Sequence, residues 1–284
     1  MIPERNPTSL LDLVKEYAAS EKLNLPVFPR AVQELQKVLS DEKTSIEEIA
    51  SIIQKDQTLA GQMLKLANSA FFSGLSRVRT IKDAILRLGL NQVFSCLVAT
   101  AQQNLYKSKN SVIDGYLQIL WKHALATAKG SKWLLQKIGY RELSDEAFLA
   151  GLLHDIGKLL LLKVIETINA KHLEAAMSEV FIQEILDSMH VELGFSLLEE
   201  WSIPSVYCRV ARDHHTEEFD TGDVVLLAVR TVNQICKRTG LSLNYEGPIV
   251  PATLPEAHAL SVKEIVLAEL EVVIEDAIAL EFGI

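Results

Sequence analysis

Cysteine, glycine, proline and net positive charge are all in short supply in this sequence. Its three cysteines, Cys96, Cys208 and Cys236, are odd in number and far apart. Each lies in an apolar or amphipathic stretch, the pattern of reduced, packed thiols in a cytoplasmic protein rather than of a disulfide framework. Gly (13) and Pro (8) are few and aromatic residues make up only 6%. Leu, Ala, Ile, Glu and Lys dominate instead, and these favour helix. Lys and Arg total 28 against 37 Asp and Glu, a net charge of −9. The overall field therefore repels nucleic acid, and no basic run is long enough to offset it. The N-terminus, Met1-Ile2-Pro3-Glu4-Arg5, has no apolar signal core. The most apolar run, Phe148 to Ile165, is interrupted by His154, Asp155, Lys158 and Lys163. Those groups would be costly in lipid, so the run reads as a buried helix and no membrane is implied.

What remains is enough for a large core: 284 residues, 49% of them hydrophobic. No period-two strand pattern, internal repeat or low-complexity tract is present, so the expected fold is all-α, a multi-helix bundle. Helices are expected at 8–20 (capped by Thr8 or Ser9), from Pro29 to about Leu39, at 45–54 with a Ser45/Glu48 capping box, and at 56–68. A turn at 71–78 precedes a helix from Thr80 to Gly89 and another over 91–105. The polar segment Lys107 to Ser111 marks the junction between an N-terminal bundle, 1–108, and a second part, 109–284. Helices are then expected near 112–138, 144–168, 178–187, 191–200, 204–213 and 221–239. Residues 240–258 read as mostly loop, and Ser261 with Glu264 as the cap of a final helix to about Leu280.

Seven histidines carry most of the chemical information. His154-Asp155 lies in Gly151-Leu-Leu-His-Asp-Ile-Gly-Lys158, flanked by apolar residues that place it in a buried or half-buried helix. A buried carboxylate needs a partner, which a metal or an adjacent cation supplies. Imidazole with carboxylate suits Zn, Fe, Mn, Ni or Co rather than Ca or Mg. The alternative is a polar core network without metal. Lys158, one turn on, either binds an anion or pairs with Asp155, and pairing is favoured. His172 and His258 stand in polar contexts and read as solvated. Trp121, Trp133 and Trp201 read as core anchors, and Asn68-Ser69 as a cap or turn.

The order His123, His154-Asp155 and a position on the helix 221–239 resembles the HD superfamily of metal-dependent phosphohydrolases. The resemblance implies metal ligation by His123, His154 and Asp155. It places Asn233 where that superfamily has a final Asp, so one anionic ligand becomes a neutral carbonyl. More of the chain resembles a branch of that superfamily, the HD-related output domain (HDOD) family. The resemblance rests on Leu25-Pro-Val-Phe-Pro29, Glu47 to Asp56, Leu66-Ala-Asn-Ser-Ala-Phe-Phe72, Ala84 to Gly89, Phe148 to Lys158, His190-Val-Glu-Leu-Gly194, Trp201-Ser-Ile-Pro204 and His214-His215. It runs in order over about 20–240. It implies an all-helical signal-transduction output or scaffold module, without catalytic turnover, whose partners are signalling proteins. His190, His214 and His215 also resemble the extra metal ligands of the HD-GYP cyclic-dinucleotide phosphodiesterases. The Gly-Tyr-Pro part of that signature is absent, since Thr-Glu-Glu-Phe-Asp-Thr-Gly-Asp223 follows His215. The enzymatic alternative is metal-dependent hydrolysis of a nucleotide or cyclic dinucleotide, with Asp155 and Lys158 as the catalytic pair.

Overall fold

The computed structural model describes residues 10–18, 34, 45–55, 57–68, 77–103, 105–171, 178–243 and 249–282. Every regular element among them is helical. The motif Leu25–Pro29, the helix from Pro29 (Glu34 apart), the Thr8/Ser9 cap, Ser69 to Phe72 and His172 lie outside the described residues. Two compact units are present: 27–105, and 1–26 together with 106–284.

In the smaller unit, α2 (Ile46–Gln54), α3 (Gln57–Ala67), α4 (Ile81–Leu88) and α5 (Leu90–Gln103) pack on one another. Local signals set their ends. The Ser45 hydroxyl accepts the Glu48 N–H while the Glu48 carboxylate accepts the Ser45 N–H, the reciprocal box expected at α2. Thr80 caps α4 through the Asp83 N–H, and Gly89 ends it at φ +80°, where a side chain would be strained. Asn68 acts as a turn clamp. Its Nδ2 donates to the carbonyls of Leu64 and Val78, at 2.8 and 2.9 Å, and its Oδ1 accepts the Val78 N–H at 2.8 Å.

The larger unit is organised by α6 (Ser111–Ile138), 28 residues long. Asn110 caps its start by accepting the N–H groups of Val112 and Ile113, and Gly139 ends it in the left-handed region. Against it pack α7 (Ser144–Leu153), α8 (Ile156–Lys171), α11 (Val224–Arg238) and α13 (Glu264–Phe282). In turn, α9 (Glu179–Glu200) packs on α8 and α10 (Ser205–Asp213), while α1 (Leu10–Ala18) also lies on α8. Leu117, Leu134, Leu135, Leu159, Leu161 and Ile165 are fully buried here. Each contributes about 1.5–3 kcal/mol relative to exposure. Trp121 joins this core, whereas Trp133 and Trp201 are only half-buried. Cys208 and Cys236 are buried free thiols. Among the described residues no helix is long and apolar enough to cross a membrane.

Three sequence expectations are corrected. The helix expected over 144–168 is broken at His154-Asp155 into α7 and α8. Gly157 lets the start of α8 lie against the backbone of α9, where a Cβ would meet the His190 carbonyl oxygen. Conversely, α9 runs unbroken through 188–190, where Ser188 bonds back to the Glu184 carbonyl and no glycine or proline intervenes. Ser261 does not cap the last helix. It adopts a left-handed φ of 54° after the short helix α12 (Pro255–Ala259), and α13 begins at Glu264.

Candidate metal centre

Two glycines flanking His154-Asp155 allow the site to close. A Cβ on Gly151 would lie 2.9 Å from the Ala128 backbone, so α7 sits directly on α6 and brings His154 to His123. A Cβ on Gly157 would fall 1.9 Å from the His190 carbonyl oxygen, so α8 and α9 touch backbone to backbone and bring His190 to Asp155. His214 and His215 follow α10.

Asp155 is the hub. Its Oδ2 lies 3.5 Å from His123 Nε2, 3.5 Å from His154 Nε2 and 2.8 Å from the Lys158 ammonium. Its Oδ1 faces His190 Nε2 at 3.5 Å and His214 Nε2 at 3.4 Å. His123 and His154 approach Nε2 to Nε2 at 3.2 Å. His215, exposed at the rim, lies tilted at 45° against His214 with ring centroids 4.1 Å apart and meets the edge of His190 at 5.2 Å. The residues form two groups with donor atoms within 4.8 Å of one another: His123, His154 and Asp155, and Asp155 with His190, His214 and His215. Asn233 is buried on α11.

The protons on these rings follow from their partners. Nδ1 of His123 bonds the Leu241 carbonyl at 2.7 Å, that of His154 the Gly151 carbonyl at 2.7 Å, that of His190 the Leu186 carbonyl at 2.7 Å and that of His214 the Ala211 carbonyl at 2.9 Å. A carbonyl only accepts, so each Nδ1 carries the hydrogen and, in the neutral ring, each Nε2 is a bare lone pair. Four such lone pairs converge on a carboxylate. The buried Asp155 Oδ1, His190 Nε2 and His214 Nε2 have no hydrogen-bond partner. Orphaned acceptors of this kind are costly unless a cation joins them. The spacing fits one: ligand atoms around a tetrahedral ion with bonds of about 2.0–2.1 Å stand about 3.3–3.4 Å apart. The cluster can therefore hold a divalent metal.

Burial also keeps the rings neutral. Desolvation pushes His123 and His190 down to about 4, against the pull of the Asp155 charge, and lowers His154 as well. Burial alone would raise the Asp155 carboxyl, but the Lys158 ammonium holds it well below the usual carboxylate range.

The HDOD domain family model matches residues 25–217. The chain belongs to the HDOD family. A protein of Treponema pallidum with no described function is 25% identical over 197 residues, which cover 68% of this chain and 38% of that protein. The chain thus spans well under half of that relative. An HDOD domain protein of unknown function from Geobacter sulfurreducens is 22% identical, with a TM-score of 0.73 over 95% of this chain and 96% of the other. A protein from Shewanella amazonensis, named as a candidate metal-dependent phosphohydrolase, is 21% identical with a TM-score of 0.68, covering 95% and 96%. These two establish a shared fold.

The depressed imidazoles give this HDOD chain a defined pH response. His123 and His190 titrate near 6.5 when unfolded and at about 4 when folded. Protons therefore bind the unfolded chain more tightly, and stability is complete above pH 6.5 and lost as pH falls towards 4. In chelator-treated protein, each ring should remove about 2 kcal/mol between pH 7 and pH 5. Thermal midpoints across that interval check this, and a flat profile rules it out.

Proposed function

We propose that this protein is a signal-transduction output module whose larger unit binds a divalent transition metal and does not turn over a phosphoester. One observation carries the metal reading: both oxygens of the buried Asp155 face imidazole lone pairs with no proton between them. His123 and His154 would hold the ion on one side of the carboxylate, and His190, His214 and His215 would supply the other side. Imidazole-rich sites favour Zn, Fe or Ni over Ca or Mg, with Mn also accommodated. A divalent ion, when bound, polarises phosphate oxygens and acidifies water.

The chain's own residues work against hydrolysis. Lys158 already occupies Asp155 Oδ2 at 2.8 Å, so the single clear carboxylate shares its charge with an ammonium. Asn233 offers only a neutral carbonyl, and the Gly-Tyr-Pro sequence is missing. A shared fold with a 23%-identical Marinobacter aquaeolei chain named as a candidate signal transduction protein is compatible with signalling partners. The second reading, a phosphodiesterase acting on a nucleotide or cyclic dinucleotide, is favoured by the full His190, His214 and His215 set.

Metal analysis of protein purified without chelator, followed by assays on cyclic dinucleotides and generic phosphoesters with added Mn and Fe, separates the two. At least one equivalent of metal without turnover is expected. Turnover that vanishes in Asp155→Ala would establish the enzyme instead, and protein that binds no added metal would remove the enzyme and the metal while leaving the signalling module.

A further inference from the structure

His214 and His215 are the central residues of a tight turn that has no proline to stiffen it. The turn is closed from within and braced from outside. The Asp213 carbonyl accepts the Thr216 N–H at 3.2 Å and the Thr216 hydroxyl at 2.8 Å. The brace is Arg230, a buried residue of α11. Its Nη1 donates to the carbonyls of Asp213, at 3.0 Å, and Thr216, at 2.9 Å, so one guanidinium nitrogen holds both corners of the turn. The Phe219 ring lies 4.1 Å from the guanidinium carbon. The remaining donors, Nε and Nη2, both go to Glu256 Oε1 at 2.7 Å. Glu256 is itself buried on α12, and its Oε2 has no hydrogen-bond partner.

We propose that Arg230, oriented by Glu256, is the positioning residue for the His214–His215 side of the metal centre. Fixing Asp213 and Thr216 fixes the two intervening backbone units, and with them the direction in which both Cα–Cβ bonds leave the turn. His214 then needs only its Nδ1 bond to the Ala211 carbonyl to aim Nε2 at Asp155. His123 and His154 are anchored on other carbonyls, those of Leu241 and Gly151, so they do not depend on the brace. Arg230 and Glu256 both fall beyond residue 217, where the HDOD match ends. The C-terminal helices of this chain therefore contribute to a site whose ligands lie in the matched segment or just before it ends. Lysine cannot replace Arg230, because a single ammonium cannot span two carbonyls and a carboxylate in a planar fork.

The inference rests on the metal reading and is tested so that the two can fail separately. Zn and Co(II) are titrated into chelator-stripped protein with competing chelator, giving stoichiometry and affinity, and Co(II) absorption reports the ligand field. In Arg230→Lys, metal affinity should fall about 10- to 100-fold, as for loss of an outer-shell partner, and the Co(II) absorption should change with it. Glu256→Gln, which keeps an acceptor at Oε1, should fall between wild type and Arg230→Lys, and it decides the matter if Arg230→Lys does not fold. Arg209→Lys, at an exposed pair with Asp223, is the control and should match wild type. A second readout needs no metal: in the stripped protein, imidazole nitrogen resonances of His214 and His215 should broaden or shift in Arg230→Lys while those of His123 do not. Wild-type affinity in both variants, with unchanged resonances, overturns the positioning role. Wild-type protein that takes up neither ion overturns the metal reading itself.

Discussion

Asp155→Asn should bind metal too weakly to retain it through purification and should unfold about 10 °C below wild type. Two separate effects combine. The substitution removes the anion shared by both halves of the donor set, leaving four imidazole lone pairs around a neutral amide. The loss should exceed the roughly 10- to 100-fold that removal of an outer-shell partner costs. It also strands the buried Lys158 ammonium, which now pairs with Asp155 Oδ2 at 2.8 Å. Removing one member of a buried pair costs about 3–5 kcal/mol, which corresponds to the stated shift for a domain of this size. The double variant Asp155→Asn, Lys158→Met separates the effects. It should recover much of the midpoint and none of the metal. Metal retained by the single variant would contradict the hub role of the carboxylate.

Gly157→Ala should be as damaging, with no change of charge. The added methyl would stand 1.9 Å from the His190 carbonyl oxygen and 2.8 Å from the Gly194 nitrogen. Both are backbone atoms of α9, so no side-chain rotation relieves the clash and the helices must part. Overpacking costs about 1–3 kcal/mol when side chains can yield, and this case lies at or beyond the upper end. His190 moves with α9, so metal affinity should fall together with the thermal midpoint. At Gly151 the distances to the α6 backbone are 2.9 Å, and Gly151→Ala should cost less. If Gly157→Ala matched wild type in both measurements, the backbone contact could not be what seats His190.

These positions show where the sequence is readable. Ser45 with Glu48, Thr80 and Gly89 act within a turn of themselves, so their types and spacing suffice to mark the ends of α2 and α4. The break at His154-Asp155 was not legible, because α8 is redirected by a backbone contact with residues more than thirty positions away. Ser261 carried the composition of a capping box, yet the chain leaving α12 takes up its conformation first. The histidines were legible as a set, but not the central place of Asp155, which depends on α6, α7, α9 and α10 converging. Glycines on both sides of His154-Asp155 were the available signal for close helix contact. Arg230 and Glu256 carried none, since an Arg on one helix and a Glu 26 residues later in an expected loop look like ordinary surface charges.

The bond from His123 Nδ1 to the Leu241 carbonyl spans 118 residues of chain. During synthesis His123, His154 and Asp155 leave the ribosome long before residue 241 exists. The carbonyl that sets the His123 tautomer therefore comes from farther along the chain than any of the candidate ligands. The aim of that ring is thus a property of the folded larger unit and of no shorter stretch of chain around His123.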